Sequence, residues 1–167
     1  IADVIIEAIV EKVEAKVAIF NQLAEINHSE VIFATNTSSL SVSDIQAKVI
    51  HPQRVAGMHF FNPVDKMPLV EVIRGPETSD AAVATIFALS KKMGKTPVVV
   101  KDGPGFLVNR LLLHYMSEGL FLLEDGMSVE HVDRVFTNKF GMPMGPFRLM
   151  DEVGLDVGMK VLKIFKE

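Results

Sequence analysis

The start of the chain combines a short apolar run with a longer amphipathic stretch. Residues 2–9 are rich in Val and Ile, which is typical of a strand buried on both faces of a parallel sheet. Over residues 11–27 the apolar side chains recur every three or four positions, which predicts an amphipathic helix. A strand followed by a helix is the repeating unit of α/β folds. The pattern therefore predicts a βα unit at residues 2–27.

The same pattern continues through the first hundred residues. Short apolar runs predict four more strands, at 31–35, 54–60, 69–73 and 98–101. Ser41 and Ser79 have the side chains expected of helix N-caps, so a short helix is predicted after the second strand and a longer one, ending near Lys92, after the fourth. Two prolines in the connection between the third and fourth strands favour a turn, and these two strands can pair as a hairpin. We expect a mostly parallel α/β sheet.

The pattern changes after Gly103, Pro104 and Gly105. Helical periodicity then predicts three helices, at 106–124, 129–139 and 146–165. The first of these is apolar almost all round and should be covered on every side. We therefore divide the chain into an α/β part, residues 1–102, and an all-helical part, residues 103–167.

Composition excludes several classes of function. A formal net charge of −4 provides no basic surface for nucleic acid. No apolar run reaches the ~18 residues of a membrane span. The chain has no cysteine, and its histidines show no metal-ligand spacing, so neither disulfides nor a metal site is predicted. Its glycines do not follow the GxGxxG pattern of a dinucleotide-binding loop.

His59 and Glu71 are the sharpest candidates for chemistry. They lie twelve positions apart, an even number, and in a hairpin centred on Asp65 they would face each other across the two strands. A carboxylate on an apolar strand face needs a partner, and His59 can provide it. Such a pair can act as a general base, because the carboxylate fixes the imidazole and stabilises its protonated form. A structural core histidine remains the alternative from spacing alone.

Four other polar residues have both a structural and a functional interpretation. Ser38 follows the second strand, where ligands of open α/β sheets bind, but serines before a helix also serve as caps. Asn109 lies in an apolar helix and could bond the backbone or a ligand. Glu11 and Lys16 could contact a cofactor from the strand-to-helix junction, or remain solvated charges.

A set of motifs covering nearly the whole chain resembles the NAD-dependent L-3-hydroxyacyl-CoA dehydrogenases. In chain order, the motifs are Asn36-Thr37-Ser38-Ser39-Leu40, Gly57-Met58-His59-Phe60-Phe61-Asn62-Pro63, Leu69-Val70-Glu71-Val72-Ile73 and Pro104-Gly105-Phe106-x-x-Asn109-Arg110. Further details, such as Met67-Pro68 and Arg74-Gly75, are more similar to the large multifunctional β-oxidation subunits. The resemblance implies a Rossmann-type cofactor domain followed by a helical substrate or dimerisation domain.

The resemblance also implies roles for particular residues. His59 corresponds to the catalytic base and Glu71 to its orienting carboxylate, while Ser38 and Asn109 match substrate-contacting positions. The positions that match NAD contacts are Ile9, Val10, Glu11, Lys16, Ser38 and Asn62. The implied reaction is reversible oxidation of an L-3-hydroxyacyl-CoA to a 3-ketoacyl-CoA in fatty acid β-oxidation. The implied setting is a homodimer or a larger β-oxidation complex, in the bacterial cytoplasm in preference to the mitochondrial matrix.

One departure from the family concerns the glycine loop. The family's cofactor fold begins with a strand, a glycine-rich loop and a helix, which this sequence lacks. We therefore expect a fragment of a longer polypeptide, with a truncated helical part and with its first strand on an open sheet edge. Two alternatives follow: an inactive fragment or helical assembly module, and a related dehydrogenase of a different 3-hydroxy acid.

Overall fold

A computed structural model describes residues 1–155 of the 167-residue chain. The chain divides into two compact units, Ile1–Phe106 and Leu107–Glu167. The first unit contains all the strands of the described residues, and the second contains three helices.

The first unit is built on a five-stranded sheet. Its strands are β1 (Val4–Glu7), β2 (Ile32–Thr35), β3 (Val55–Phe60), β4 (Leu69–Arg74) and β5 (Thr96–Lys101). They lie in sequence order across the sheet. Strands β1, β2 and β3 are parallel, β4 runs antiparallel to β3, and β5 is parallel to β4. The mostly parallel α/β fold expected from the sequence is therefore confirmed.

Helices cover both faces of this sheet. They are α1 (Val13–Ile26), α2 (Val42–Gln46) and α3 (Asp80–Lys92), with a 3₁₀ turn at Pro52–Arg54. On one face, Ala82, Val83 and Ile86 of α3 pack against alternate residues of β2, β3 and β4. On the other face, Phe20 of α1 and Ile45 of α2 pack with the opposite set of strand residues. Burial on both faces explains why the three central strands, β2, β3 and β4, have continuous apolar sequences.

Two of the predicted helix starts are capped as expected. The Ser41 hydroxyl accepts a hydrogen bond from the Asp44 backbone N–H at 3.3 Å. The Ser79 hydroxyl accepts one from the Ala82 backbone N–H at 3.2 Å. Each cap satisfies a backbone N–H that has no partner within its helix.

The first strand differs from the prediction. β1 is only four residues long, and Ile6 is 41% exposed, so the expected burial on both faces is wrong. Among residues 1–155, β1 has a neighbouring strand only on its β2 side, which leaves its other backbone edge without a strand. An edge strand with one neighbour loses less water from its side chains than a central strand does.

The second unit contains α4 (Val108–Glu124), α5 (Val129–Asn138) and α6 (Pro146–Val153). The Asp133 carboxylate of α5 accepts hydrogen bonds from the Phe147 and Arg148 backbone N–H groups, both at 2.9 Å. These bonds connect α5 to the first turn of α6. An α-helix cannot continue unchanged through Gly154, whose φ is 93°. The predicted helix over 146–165 therefore ends at Val153, and its part beyond 155 lies outside the described residues.

Helix α4 is less covered than its sequence suggests. Leu111 is 61% exposed and Phe121 is 57% exposed, so the expected burial on every side is not met by residues 1–155. Gly119 is the buried residue of α4, and a side chain there would meet Pro146 at 2.8 Å. Helices α4 and α6 therefore approach each other closely at Gly119.

Candidate functional site

His59 and Glu71 face each other across the β3–β4 ladder. The two residues are antiparallel register partners, and His59 Nδ1 lies 2.7 Å from Glu71 Oε2. Both are buried, with Glu71 fully removed from solvent and His59 4% exposed. The hairpin pairing expected from the even spacing is therefore present. An ionised carboxylate in such a position accepts a hydrogen bond from the Nδ1–H group, and the neutral imidazole then has its lone pair on Nε2.

The other ring nitrogen of His59 points towards Ser38. Ser38 Oγ lies 3.1 Å from His59 Nε2. The contact arises because β2 and β3 are parallel neighbours with Thr35 opposite Gly57. The residues that follow this pair therefore meet at the carboxyl ends of the two strands. Ser38, His59 and Glu71 thus form a continuous polar array. This arrangement can pass a proton between a bound hydroxyl and the imidazole.

Aromatic rings hold the His59 side chain in place. The ring of Phe61 lies 4.6 Å from the imidazole centroid, and that of Phe106 lies 5.7 Å away. Both rings are tilted relative to the imidazole, as is common for packed aromatic pairs. The imidazole is therefore confined by packing as well as by its hydrogen bonds.

A second polar cluster lies where β1 and β2 end. Glu11 Oε1 accepts hydrogen bonds from the Thr37 hydroxyl at 2.5 Å, the Ser38 amide at 3.2 Å and the Ser39 hydroxyl at 3.3 Å. Its other oxygen lies 3.2 Å from Lys16 Nζ. Glu11 thereby joins the β1–α1 connection to the polar segment that follows β2.

The surroundings of Glu11 favour its ionised form. Partial burial is the largest single influence and acts to raise the pKa of this carboxyl. The hydrogen bond from Thr37 and the positive charge of Lys16 act in the opposite direction, and with them the pKa of Glu11 is lowered from its ordinary value. Its side chain remains 39% exposed, so an ionised acceptor is available at the surface.

Lys16 is paired with the carboxylate of Glu7, which is not among the candidates predicted from the sequence. Lys16 Nζ lies 2.7 Å from Glu7 Oε1, and both side chains are buried. The Thr35 hydroxyl donates to the other Glu7 oxygen at 2.8 Å. The signal was present in the sequence, because Lys16 shares the apolar helix face with Val13 and Phe20, and Glu7 ends an apolar strand. A charge on each of two buried faces indicates a buried ion pair.

The remaining predicted site residues are placed as follows. Ile9 and Val10 are 46% and 63% exposed in the β1–α1 connection. Asn62 is exposed in the loop between β3 and β4 and precedes a cis peptide bond to Pro63. Asn109 lies in the first turn of α4, in the second unit.

The described part of the chain shows neither a metal site nor a membrane-spanning helix. Residues 1–155 contain no group of three or more His, Asp or Glu side chains placed to hold a metal ion. In the same residues, no helix has both the length and the apolar character required to cross a bilayer.

Comparison with known families matches both parts of the chain. Residues 1–103 match the model of the 3-hydroxyacyl-CoA dehydrogenase, NAD binding domain, and residues 105–167 match that of the 3-hydroxyacyl-CoA dehydrogenase, C-terminal domain. Among curated relatives, the fatty acid oxidation complex subunit alpha of Idiomarina loihiensis is 51% identical over 162 residues. That match covers 97% of this chain and 23% of the relative, so the chain spans about a quarter of that relative's length.

Solved structures of similar proteins have the same fold. (S)-3-hydroxybutyryl-CoA dehydrogenase PaaH1 from Ralstonia eutropha is 43% identical with a TM-score of 0.92, over 98% of this chain and 58% of that one. 3-Hydroxybutyryl-CoA dehydrogenase from Escherichia coli K12 is 42% identical with a TM-score of 0.93, over 99% of this chain and 35% of that one.

Proposed function

Because the chain belongs to the 3-hydroxyacyl-CoA dehydrogenase family, we propose that the full-length protein reversibly oxidises L-3-hydroxyacyl-CoA to 3-ketoacyl-CoA in fatty acid β-oxidation. The cofactor is NAD, since the match over residues 1–103 is to the NAD binding domain of this family. When bound, NAD supplies the hydride acceptor. The observation that carries the proposal is the array of Ser38, His59 and Glu71 near the carboxyl ends of β2 and β3.

His59 is the general base in this proposal. Its Nε2 takes the proton of the substrate hydroxyl as the adjacent carbon loses hydride, so the alcohol loses one proton and one hydride and becomes a ketone. Glu71 holds the Nδ1 proton through the 2.7 Å contact and stabilises the imidazolium that forms. In the reverse direction the same Nε2 returns the proton to the alkoxide oxygen.

Ser38 and Asn109 are the proposed substrate contacts. The Ser38 hydroxyl lies 3.1 Å from His59 Nε2, so it can hydrogen-bond a substrate oxygen that approaches this nitrogen. Asn109 offers both an amide donor and a carbonyl acceptor. We propose that it binds the thioester and hydroxyl region of the acyl-CoA.

The proposed NAD contacts are Lys16, in helix α1, and residues that follow the carboxyl ends of neighbouring strands, where open α/β sheets bind ligands. Exposed Ile9 and Val10 offer apolar surface to a ring, and ionised Glu11 offers an acceptor to a ribose hydroxyl. These three residues are thus suited to a planar ring and a sugar. The full proposed set is Ile9, Val10, Glu11, Lys16, Ser38 and Asn62.

The organisation of the whole protein is part of the proposal. Residues 1–102 are the C-terminal part of an NAD-binding domain, and residues 103–167 are part of the helical C-terminal domain. We place the protein in the cytoplasm, as a homodimer or within a larger β-oxidation complex. The exposed apolar side chains of α4 support a packing partner for this helix.

Steady-state assays of the full-length protein test this proposal. NADH absorbance is followed with acetoacetyl-CoA in one direction and L-3-hydroxybutyryl-CoA in the other, with the free 3-hydroxy acid as the comparison substrate. We expect turnover of the CoA esters and little turnover of the free acid. Preference for the free acid would indicate a related dehydrogenase of another substrate. Self-association without turnover or NADH binding would indicate a helical assembly module instead.

A further inference from the structure

Buried Glu7 has contacts that the proposed reaction does not use. We propose that Glu7 is a positioning residue for the cofactor, which fixes the β1–α1 connection at residues 8–12 and balances the charge of Lys16. This inference rests on the proposed function, because it takes these residues as the NAD contacts. Glu7 itself is only 4% exposed and acts through its neighbours.

One oxygen of Glu7 restrains two parts of the proposed cofactor site. Oε1 accepts the backbone N–H of Ile9 at 2.6 Å and the ammonium of Lys16 at 2.7 Å. The Ile9 bond orders the part of this connection whose side chains have little to hold them, since Ile9 and Val10 are about half exposed or more. A ligand pays less ordering entropy when its binding segment is already fixed. Glu7 therefore favours NAD binding by preorganisation.

The second part of the argument concerns charge. Lys16 is fully buried and lies between two carboxylates, those of Glu7 and Glu11. A buried ammonium needs a partner, because desolvation of an unpaired charge is costly. Glu7 is the buried member of the pair and makes the shorter contact, at 2.7 Å against 3.2 Å. Glu7 thus satisfies Lys16 and leaves Glu11 able to serve a ligand at the surface.

Thr35 completes the arrangement. Its hydroxyl donates to Glu7 Oε2 at 2.8 Å, and Thr35 is the register partner of Glu7 in the β1–β2 ladder. The parallel pairing of two strand ends therefore places the acceptor and its donor side by side.

The test is the Glu7→Gln variant of the full-length protein. Glutamine retains the shape of the side chain and an oxygen for the Ile9 amide, but it removes the charge that balances Lys16. We expect the Kd for NADH and the KM for NAD to rise about tenfold or more, the size of one weakened charge-assisted hydrogen bond. At saturating NAD, kcat should stay within about threefold of wild type, because the His59 array is untouched.

Thr78→Val is the matched control. Thr78 is also a buried polar residue of the first unit, but its hydroxyl donates to Val55 O at 2.7 Å, at the opposite end of β3 from His59. This variant should lower thermal stability and leave the Kd for NADH unchanged. Comparison of the two variants separates cofactor positioning from general loss of stability.

Three results would overturn the proposal. They are a Kd for NADH in Glu7→Gln equal to that of wild type, an equal loss of affinity in Thr78→Val, and a lower kcat with unchanged KM for NAD. If the wild-type protein itself fails to bind NADH, the proposed function fails as well. If wild type binds NADH and Glu7→Gln has the same Kd, only this inference is overturned.

Should Glu7→Gln not fold, Thr35→Val is the second variant, with NADH binding expected to weaken about threefold by loss of one hydrogen bond. Unchanged binding in that variant overturns the proposal too.

Discussion

Replacement of Glu71 by glutamine tests the role of the carboxylate behind His59. Glutamine has nearly the same shape, and its amide oxygen can still accept a hydrogen bond from Nδ1–H across the 2.7 Å contact, so the change removes mainly the negative charge. In the proposed reaction that charge stabilises His59 when the imidazole becomes protonated. Because Glu71 is fully buried, solvent does little to screen its interaction with the imidazolium.

The size of the effect follows from this geometry. With the charge centres about 4 Å apart and an effective dielectric constant of about 20, the imidazolium and the carboxylate attract each other by about 4 kcal/mol. If about half of the proton charge has reached the imidazole in the transition state, the loss is about 2 kcal/mol. We therefore expect kcat to fall between about 30-fold and about 1000-fold.

The assay is steady-state turnover of acetoacetyl-CoA and NADH by the full-length protein, with a separate titration of NADH binding. NADH affinity should change little, because Glu71 lies behind His59 and is not among the proposed cofactor contacts. Thr78→Val again serves as the control for loss of a buried polar group in the same unit. A folded Glu71→Gln variant whose kcat lies within about threefold of wild type would refute the argument and leave the pair a structural one.

Two further predictions concern neighbouring residues. Ser38→Ala removes the hydroxyl 3.1 Å from His59 Nε2 and should lower kcat/KM for the acyl-CoA about tenfold, the value of one hydrogen bond to developing charge; an unchanged kcat/KM would contradict the proposed substrate contact. The pKa of Glu11 is lowered in the folded protein from its ordinary value of 4.5. Glu11 therefore stabilises the fold at pH values above 4.5, and this stabilisation is lost as the pH falls through the lower pKa of the folded state. Urea unfolding of wild type and Glu11→Gln on both sides of pH 4.5 should show a stability difference that shrinks in acid; a difference that grows in acid would contradict the sign.

The sequence contains enough information to predict the contact between His59 and Glu71 but not its surroundings. Strand residues alternate between faces, so the spacing of His59 and Glu71 sufficed once a hairpin was assumed. The contact of Glu11 with Thr37 depends instead on which strands are neighbours, and hydrophobic periodicity does not reveal strand order. Sequence pattern therefore identifies residues within one hairpin more readily than residues on separate βα units.

The buried ion pair and the edge strand show a second limit. Taken one at a time, Glu7 is the end of a predicted strand and Lys16 is a charge on a predicted helix surface. The sequence pattern of either element does not show that the two side chains meet. The apolar run of β1 suggested a strand covered on both faces, but Ile6 is 41% exposed. Composition of a run indicates how a strand could be buried, whereas its neighbours determine how much of it is buried.

Comparison of wild type with His59→Gln measures the central claim most directly. The full-length proteins are mixed with NAD and L-3-hydroxybutyryl-CoA, and formation of NADH is followed over a single turnover, with NADH affinity measured in parallel. Loss of the general base should slow the reaction by roughly 10²–10⁴-fold while NADH affinity stays close to that of wild type. NADH formation at the wild-type rate in a folded His59→Gln variant would contradict the account.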